Sequence, residues 1–331
     1  MGRHRLGNWT LACATALLAA LPWVCGQYAL DLASRTMIMA LFAMSLQLLV
    51  GQVGLVSFGQ AAFFGIAAYG AALLSPAQAP AQLLILLPAA VAASAAYALV
   101  AGALSLRTRG VYFIMVTLAF AQLAYTLAHD TALAGGSDGI YINVRPVISI
   151  GGRAMLDLDH PLALYYLIWT CLLLAYLALG QLAASRFGRA LAGIRLNEAR
   201  MRAAGYETGR FKLVAFALSA AVAGLSGVLW ALKDGYVNPE VLSWHQSGRA
   251  LLMVILGGAG SLRGALAGAV GLTLLEELFQ SRGLFGPVAR HWQLPLGLSI
   301  IVLVAALPSG LMGRWDREPT GRSPAAPPRG A

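Results

Sequence analysis

The chain has 331 residues, of which 59% are hydrophobic and 11% charged. A soluble domain carries about 45–50% apolar and about 25% charged residues, so an ordinary water-soluble globule is excluded. The 23 Lys and Arg exceed the 13 Asp and Glu to give a net charge of +10. These cations lie between apolar runs, which is the loop bias of a polytopic membrane protein and not a nucleic-acid surface.

Apolar runs fall near residues 8–25, 28–50, 61–76, 81–105, 111–128, 161–184, 213–232, 249–260, 264–280 and 293–312. A bilayer core about 30 Å thick takes about 20 apolar residues per helix, and lipid obliges the backbone to satisfy its own hydrogen bonds. The sequence therefore predicts an all-α transmembrane helical bundle over residues 1–314, with about eight to ten spans. The first run reads as a retained span, because Leu21-Pro-Trp-Val-Cys25 offers no small-x-small cleavage site. Residues 315–331, rich in Pro, Gly and Arg, read as a disordered tail.

Arginine sets the orientation. Arg3, Arg5, Arg107, Arg109, the cations from Arg186 to Lys212, Arg263 and the tail arginines fall on one side. That bias predicts both termini in the cytoplasm, with the largest opposite loop at residues 129–160.

Two segments resist simple spanning. Gly51-Gln-Val-Gly-Leu-Val-Ser-Phe-Gly-Gln60 follows an apolar run directly. Either it is a plain loop, or it is a broken or re-entrant element lining a polar cavity, the form in which irregular backbone is tolerated at membrane depth. On the second reading Gly51, Gln52, Gly54, Ser57, Gly59 and Gln60 line the pathway. Gly257-Gly-Ala-Gly-Ser-Leu-Arg-Gly264 splits the run 249–280, and Gly260, Gly264 and Gly268 repeat every four residues as a ridge for close helix contact; this segment too is either a plain loop with that packing patch or a break lining a polar cavity.

Enzymatic chemistry is missing. His4, His129, His160, His245 and His291 lie near span boundaries without metal spacing, Cys13, Cys25 and Cys171 are odd in number, and no Gly-Lys-Ser/Thr is present. No residue is assigned a catalytic or metal-binding role. Among ionisable groups within runs, Asp31 and Arg35 stand four apart and are expected to pair. Glu276 and Glu277 either mark a boundary or serve as proton relays of an ion-coupled carrier.

The loop 185–212 holds a short helix, expected from about Glu198 to Ala204 and ended by Gly205. It presents Met201, Ala203 and Ala204. Composition leaves open whether this is a docking surface or a basic helix on anionic lipid.

Several ordered blocks resemble one family. Gly51 to Tyr69, Arg109-Gly-Val-Tyr-Phe-Ile-Met-Val-Thr-Leu-Ala-Phe120, Gly135-Gly-Ser-Asp-Gly139, Ser185-Arg-Phe-Gly-Arg-Ala190 and Leu251-Leu-Met-Val-Ile-Leu-Gly-Gly258 are similar to the LivM-type permease subunit of bacterial branched-chain amino acid ABC importers. The resemblance implies a permease of the bacterial inner membrane that is not itself an enzyme. Its implied partners are a homologous LivH-type permease, two cytoplasmic ATPase subunits and a periplasmic solute-binding protein, in a lipid membrane. No cofactor is implied on this chain, since ATP and Mg would sit on the ATPases. Glu198, Ala203, Ala204 and Gly205 match the family's ATPase-coupling pattern, while Arg200 and Met201 stand where small alanines are usual. Gly135, Gly136, Ser137, Asp138 and Gly139 are implied to touch the binding protein, or else form a structural turn in which Asp138 caps a helix. Urea, short amides or another amino acid remain alternative cargoes, and an ion-coupled carrier is the alternative mechanism.

Overall fold

In the computed structural model, residues 15–24, 26–76, 78–150, 153–281, 291–307 and 309–313 are described. The expectations for Arg3, Arg5, Cys13, Cys25 and the tail 315–331 lie outside them. Each apolar run that falls among the described residues is built on a helix. In chain order these are α1 (Thr15–Val24), α2 (Gln27–Gln47), α3 (Gln60–Leu73), α4 (Leu83–Ser105), α5 (Val111–Asp130) and α6 (Pro161–Ala184). After the amphipathic pair α7 (Arg186–Leu196) and α8 (Glu198–Ala203) come α9 (Thr208–Asp234), α10 (Trp244–Gly257), α11 (Leu262–Gln280) and α12 (Gln293–Ala306).

Five of these are long and apolar enough to cross a membrane, with α2 extended to Val53, and the bent pair α10–α11 makes up to six. The expected eight to ten spans are reached only by counting α1, α3 and α12, which are shorter apolar helices. At 1.5 Å per residue a 14-residue helix such as α3 or α12 reaches about 21 Å, short of a bilayer core of about 30 Å.

The three outer helices α4, α5 and α6 invert the soluble pattern. On α4 and α5 the buried stripes recur every three or four residues and are mostly small: Ala90, Ser94, Ala98 and Ala101 on α4, and Thr117, Ala121, Ala124 and Ala128 on α5, whereas α6 buries Leu164, Tyr165, Ile168 and Leu172. Large apolar side chains such as Leu84, Ile85, Val100, Leu123, Leu127 and Leu174 face outward. Small residues let backbones approach, and the outer leucines meet lipid at no hydrophobic cost. At the centre, α2 is buried on all faces from Met37 to Gln47, and α3 packs most extensively on α9 and then α4.

One end of the bundle gathers the loop cations, including Arg109, Arg195 and Lys212. The other carries two small antiparallel pairings, β1 (Ile140–Tyr141) with β4 (Tyr236–Val237), and β2 (Val147–Ile150) with β3 (Arg153–Asp157). The expected Asp31–Arg35 pair does not form. Asp31 instead binds Lys233 Nζ at 2.8 Å, tying the start of α2 to the end of α9, and the Arg35 guanidinium lies 5.5 Å from the centre of the Trp230 ring. A cation on the neighbouring helix reaches Asp31, so the local four-residue spacing loses.

The glycine ridge is real but shifted. α10 and α11 meet at 113°, and a Cβ at Gly257 would overlap the Gly264 carbonyl, while one at Gly268 would overlap the Met253 carbonyl. Gly260, by contrast, faces open space. Gly268→Leu is therefore expected to cost about 2 kcal/mol or more by forcing the two backbones apart, whereas Gly260→Leu leaves stability unchanged; thermal unfolding of the two variants in detergent compares them.

Candidate functional site

Between α2 and α3 the chain does what the glycine density predicts, by a specific route. α2 widens into a π-helical turn, Leu48–Val53, and stops at Gly54, whose φ of +78° is left-handed and favours glycine. The Leu55 amide reaches back to the Leu49 carbonyl at 3.1 Å, and the chain then runs unpaired with any strand to Gln60. Backbone in such a segment must find partners inside the protein.

The partners are hydroxyls from distant helices. Phe58 N donates to Thr117 Oγ1 (3.2 Å) on α5, and the Phe58 carbonyl accepts from Ser247 Oγ (2.7 Å) on α10. The same Ser247 oxygen accepts from Ala61 N (2.9 Å), and Gly59 N donates to Ser57 Oγ (3.1 Å). Fully buried Gln60 donates to Ser219 Oγ (2.9 Å) on α9, and Ser219 donates to the Ser45 carbonyl (2.6 Å) on α2. The Gln60 amide and the Ser219 hydroxyl thus lock α2, α3 and α9 at the interruption.

The predicted pathway residues consequently separate. Gly51, Ser57, Gly59 and Gln60 are buried, and Gln60 and Ser57 are engaged in structural hydrogen bonds. Gln52 is half-buried, and Gly54 is exposed on a cavity of about 280 Å³ shared with Arg109, Arg195, Glu198 and Lys212.

That cavity joins the interruption to the loop. Ser185 and Asn197 cap α7 and α8, accepting from Gly188 N (3.2 Å) and Arg200 N (3.0 Å). α8 ends at Ala203, one residue before the expected end, and Gly205 follows in the left-handed region. Met201 lies against Gly193 of α7, its sulfur 2.9 Å from where a Cβ would stand, so the bulky residue at this position is matched by a glycine opposite. Ala203, Ala204 and Gly205 remain exposed.

Glu198 organises the loop. Its carboxylate binds Arg202 Nη2 (2.6 Å) and Lys212 Nζ (2.7 Å) and accepts from Thr208 Oγ1 (3.0 Å). Partial burial alone would raise its pKa, but the bonds from Lys212, Arg202 and Thr208 outweigh it and hold the carboxyl at about 2, against an ordinary 4.5.

Three residues not singled out from the sequence complete the site. Arg195, on the last turn of α7, donates through Nη1 to the Gly51 carbonyl, and its Cγ lies 3.0 Å from a Cβ position at Gly54. Gln47, one turn before Gly51, donates through Nε2 to the Ala259 carbonyl (2.8 Å) in the α10–α11 bend, while its buried Oε1 accepts no bond among the described residues. Ser219 supplies the α9 side of the lock. In sequence Arg195 reads only as one more loop cation, and the serines as ordinary helix residues.

The remaining candidates sit elsewhere. Gly135 to Gly139 form short 3₁₀ turns at the opposite end; Asp138 caps no helix there, and its carbonyl accepts from Tyr236 OH (2.7 Å). Glu276 forms a two-point ion pair with Arg249 of α10, at 2.5 and 3.2 Å, with only 10% of its side chain exposed. Glu277 accepts from the Tyr28 hydroxyl.

The chain is thus a multi-pass helical bundle with two interrupted helices and a structured polar loop between spans. The family model for the branched-chain amino acid transport system permease component matches residues 28–307, and the chain belongs to that family. Among curated relatives, it is 29% identical to the high-affinity branched-chain amino acid transport system permease protein LivM of Salmonella typhimurium, over 89% of this chain and 72% of the relative. It is 29% identical to LivM of Escherichia coli K12 over 91% of this chain and 74% of the relative. LivH of Escherichia coli K12 is also 29% identical, over 46% of this chain and 48% of LivH. No solved structure matched.

The depressed Glu198 pKa has a definite sign: a folded value below the unfolded one stabilises the loop above about pH 4.5, and that contribution is lost as pH falls through about 2. Pepsin cleavage within residues 197–212, scaled at each pH to cleavage of an unstructured peptide, is expected to rise as pH falls across that window in the native chain. In Glu198→Gln it is already high at the upper limit and changes little with pH.

Proposed function

We propose that the chain is the membrane-embedded permease of an ATP-driven importer that carries branched-chain amino acids across the bacterial inner membrane, with both termini cytoplasmic. It would pair with a LivH-type permease, two ATPases holding ATP and Mg, and a periplasmic solute-binding protein. The names of its LivM and LivH relatives, all branched-chain amino acid permeases, support the cargo and the pairing. The observation that carries the ATPase contact is α8: a capped helix pinned by Glu198, Lys212, Arg202 and Thr208, which leaves Ala203, Ala204 and Gly205 outward at the arginine-rich end. Small exposed residues on a held helix suit insertion into a cleft, and a helix merely resting on anionic lipid would gain nothing from them.

In this scheme ATP binding and hydrolysis shift α8, and the interruption around Gly51–Gln60 changes which side of the membrane it opens to. Gly135 to Gly139, at the opposite end, would meet the binding protein. The ion-coupled alternative needs a carboxylate that can load and release protons, and the two-point pairing of Glu276 with Arg249 opposes that use.

Ala203→Trp keeps a favourable helical backbone and changes only what α8 presents. In liposomes containing the assembled complex it is expected to lower ATP-driven leucine uptake about tenfold or more, while the purified subunit keeps its melting temperature. Full uptake by this variant would contradict the docking role, and uptake driven by an ion gradient without ATP would contradict the importer.

A further inference from the structure

We infer that Arg195 is a positioning residue that transmits movement of the ATPase-facing loop to both helix interruptions at once. The inference rests on the importer reading and extends it from a docking surface to a route.

The route is short and continuous. α8 cannot move far without α7, because only Asn197 separates them, and it is bonded to both sides: its amide donates to the Gly193 carbonyl (3.0 Å) and its side chain caps α8 (3.0 Å). Met201 lies on Gly193 within the same corner. Two residues on, the guanidinium of Arg195 holds the Gly51 carbonyl while its stem packs on Gly54. Gly51 in turn touches the Gln47 amide, which would collide with any Cβ there, and that amide binds the Ala259 carbonyl at 2.8 Å in the second interruption. Loop, π turn and bend are therefore linked by two side-chain-to-carbonyl bonds.

Two features suit these bonds to motion. A π turn is a less stable form of helix, found often at functional sites, so a change in its one arginine contact shifts its hydrogen bonding at low cost. Gln47 Oε1, buried and without a donor among the described residues, leaves an acceptor that a rearranged turn can use. A guanidinium that only capped the end of α2 would stabilise the π turn and stop there; the Gln47–Ala259 bond is what carries the effect onward.

Hydrogen exchange on the purified chain tests the route without any partner. Arg195→Ala is expected to speed exchange at residues 48–55 and also at 257–262. Faster exchange at 48–55 alone, or at neither, would overturn the inference. In the assembled complex Arg195→Ala is expected to lower uptake per ATP hydrolysed about tenfold, with ATP hydrolysis within about twofold of native. Arg195→Lys, which keeps one donor, should recover part of the loss, and Arg107→Ala, an exposed cation between α4 and α5, should change nothing. Gln47→Leu should give the same uncoupling with the loop untouched. Uptake and hydrolysis falling together with the melting temperature would mark Arg195 as structural only. If the native complex shows no ATP-driven uptake, the importer reading fails, and the exchange result still decides the link.

Discussion

Helices interrupted inside lipid owe their existence to the partners found for the freed backbone. Each unsatisfied amide or carbonyl in a hydrocarbon environment costs several kcal/mol, so the segment from Gly51 to Gln60 is possible only because other helices bring polar atoms to it. Thr117, Ser219 and Ser247 arrive from α5, α9 and α10, and Arg195 from the loop. The packing of these helices follows from the same requirement. α3 starts where its first residues can reach Ser219 and Ser247, and small residues along the outer helices allow the backbones to approach closely enough.

Polarity in the molecule divides into two kinds. At the interruption it is neutral, made of hydroxyls and the amides of Gln60 and Gln47, and it holds shape without charge. At the arginine-rich end it is ionic and partly exposed, with Glu198 neutralising Lys212 and Arg202. Arg195 lies where the two meet and bonds a carbonyl and not a carboxylate. A neutral acceptor can be released at less electrostatic cost than a paired ion, which suits a contact that is remade in each cycle. Arg249 and Glu276 show the contrasting case, a two-point charged pair that fastens α10 to α11.

Much of this was legible in sequence. Among the described residues each apolar run carries a helix, the glycines between 51 and 59 marked a true interruption, and Gly205 ended α8 within one residue of expectation. What was not legible depended on distance along the chain. Gln60 and Ser219 are 159 residues apart, Ala61 and Ser247 186, and no local pattern pairs them. For the same reason Asp31 looked like a partner for Arg35 until Lys233 reached it from α9. Composition counts α3 as a span because apolarity says nothing of how long the helix is; its 14 residues reach about 21 Å. The glycine ridge was placed correctly in kind, but the 113° bend turned Gly260 outward and brought Gly257 inward.

Gentle detergent extraction of the tagged chain from its native membrane, followed by mass spectrometry and reconstitution of what accompanies it, tests the central claim most directly. The importer account predicts a second, homologous permease and ATPase subunits in the same particle, with uptake of branched-chain amino acids that requires ATP. Recovery of the chain alone, still catalysing uptake on an ion gradient, would contradict it.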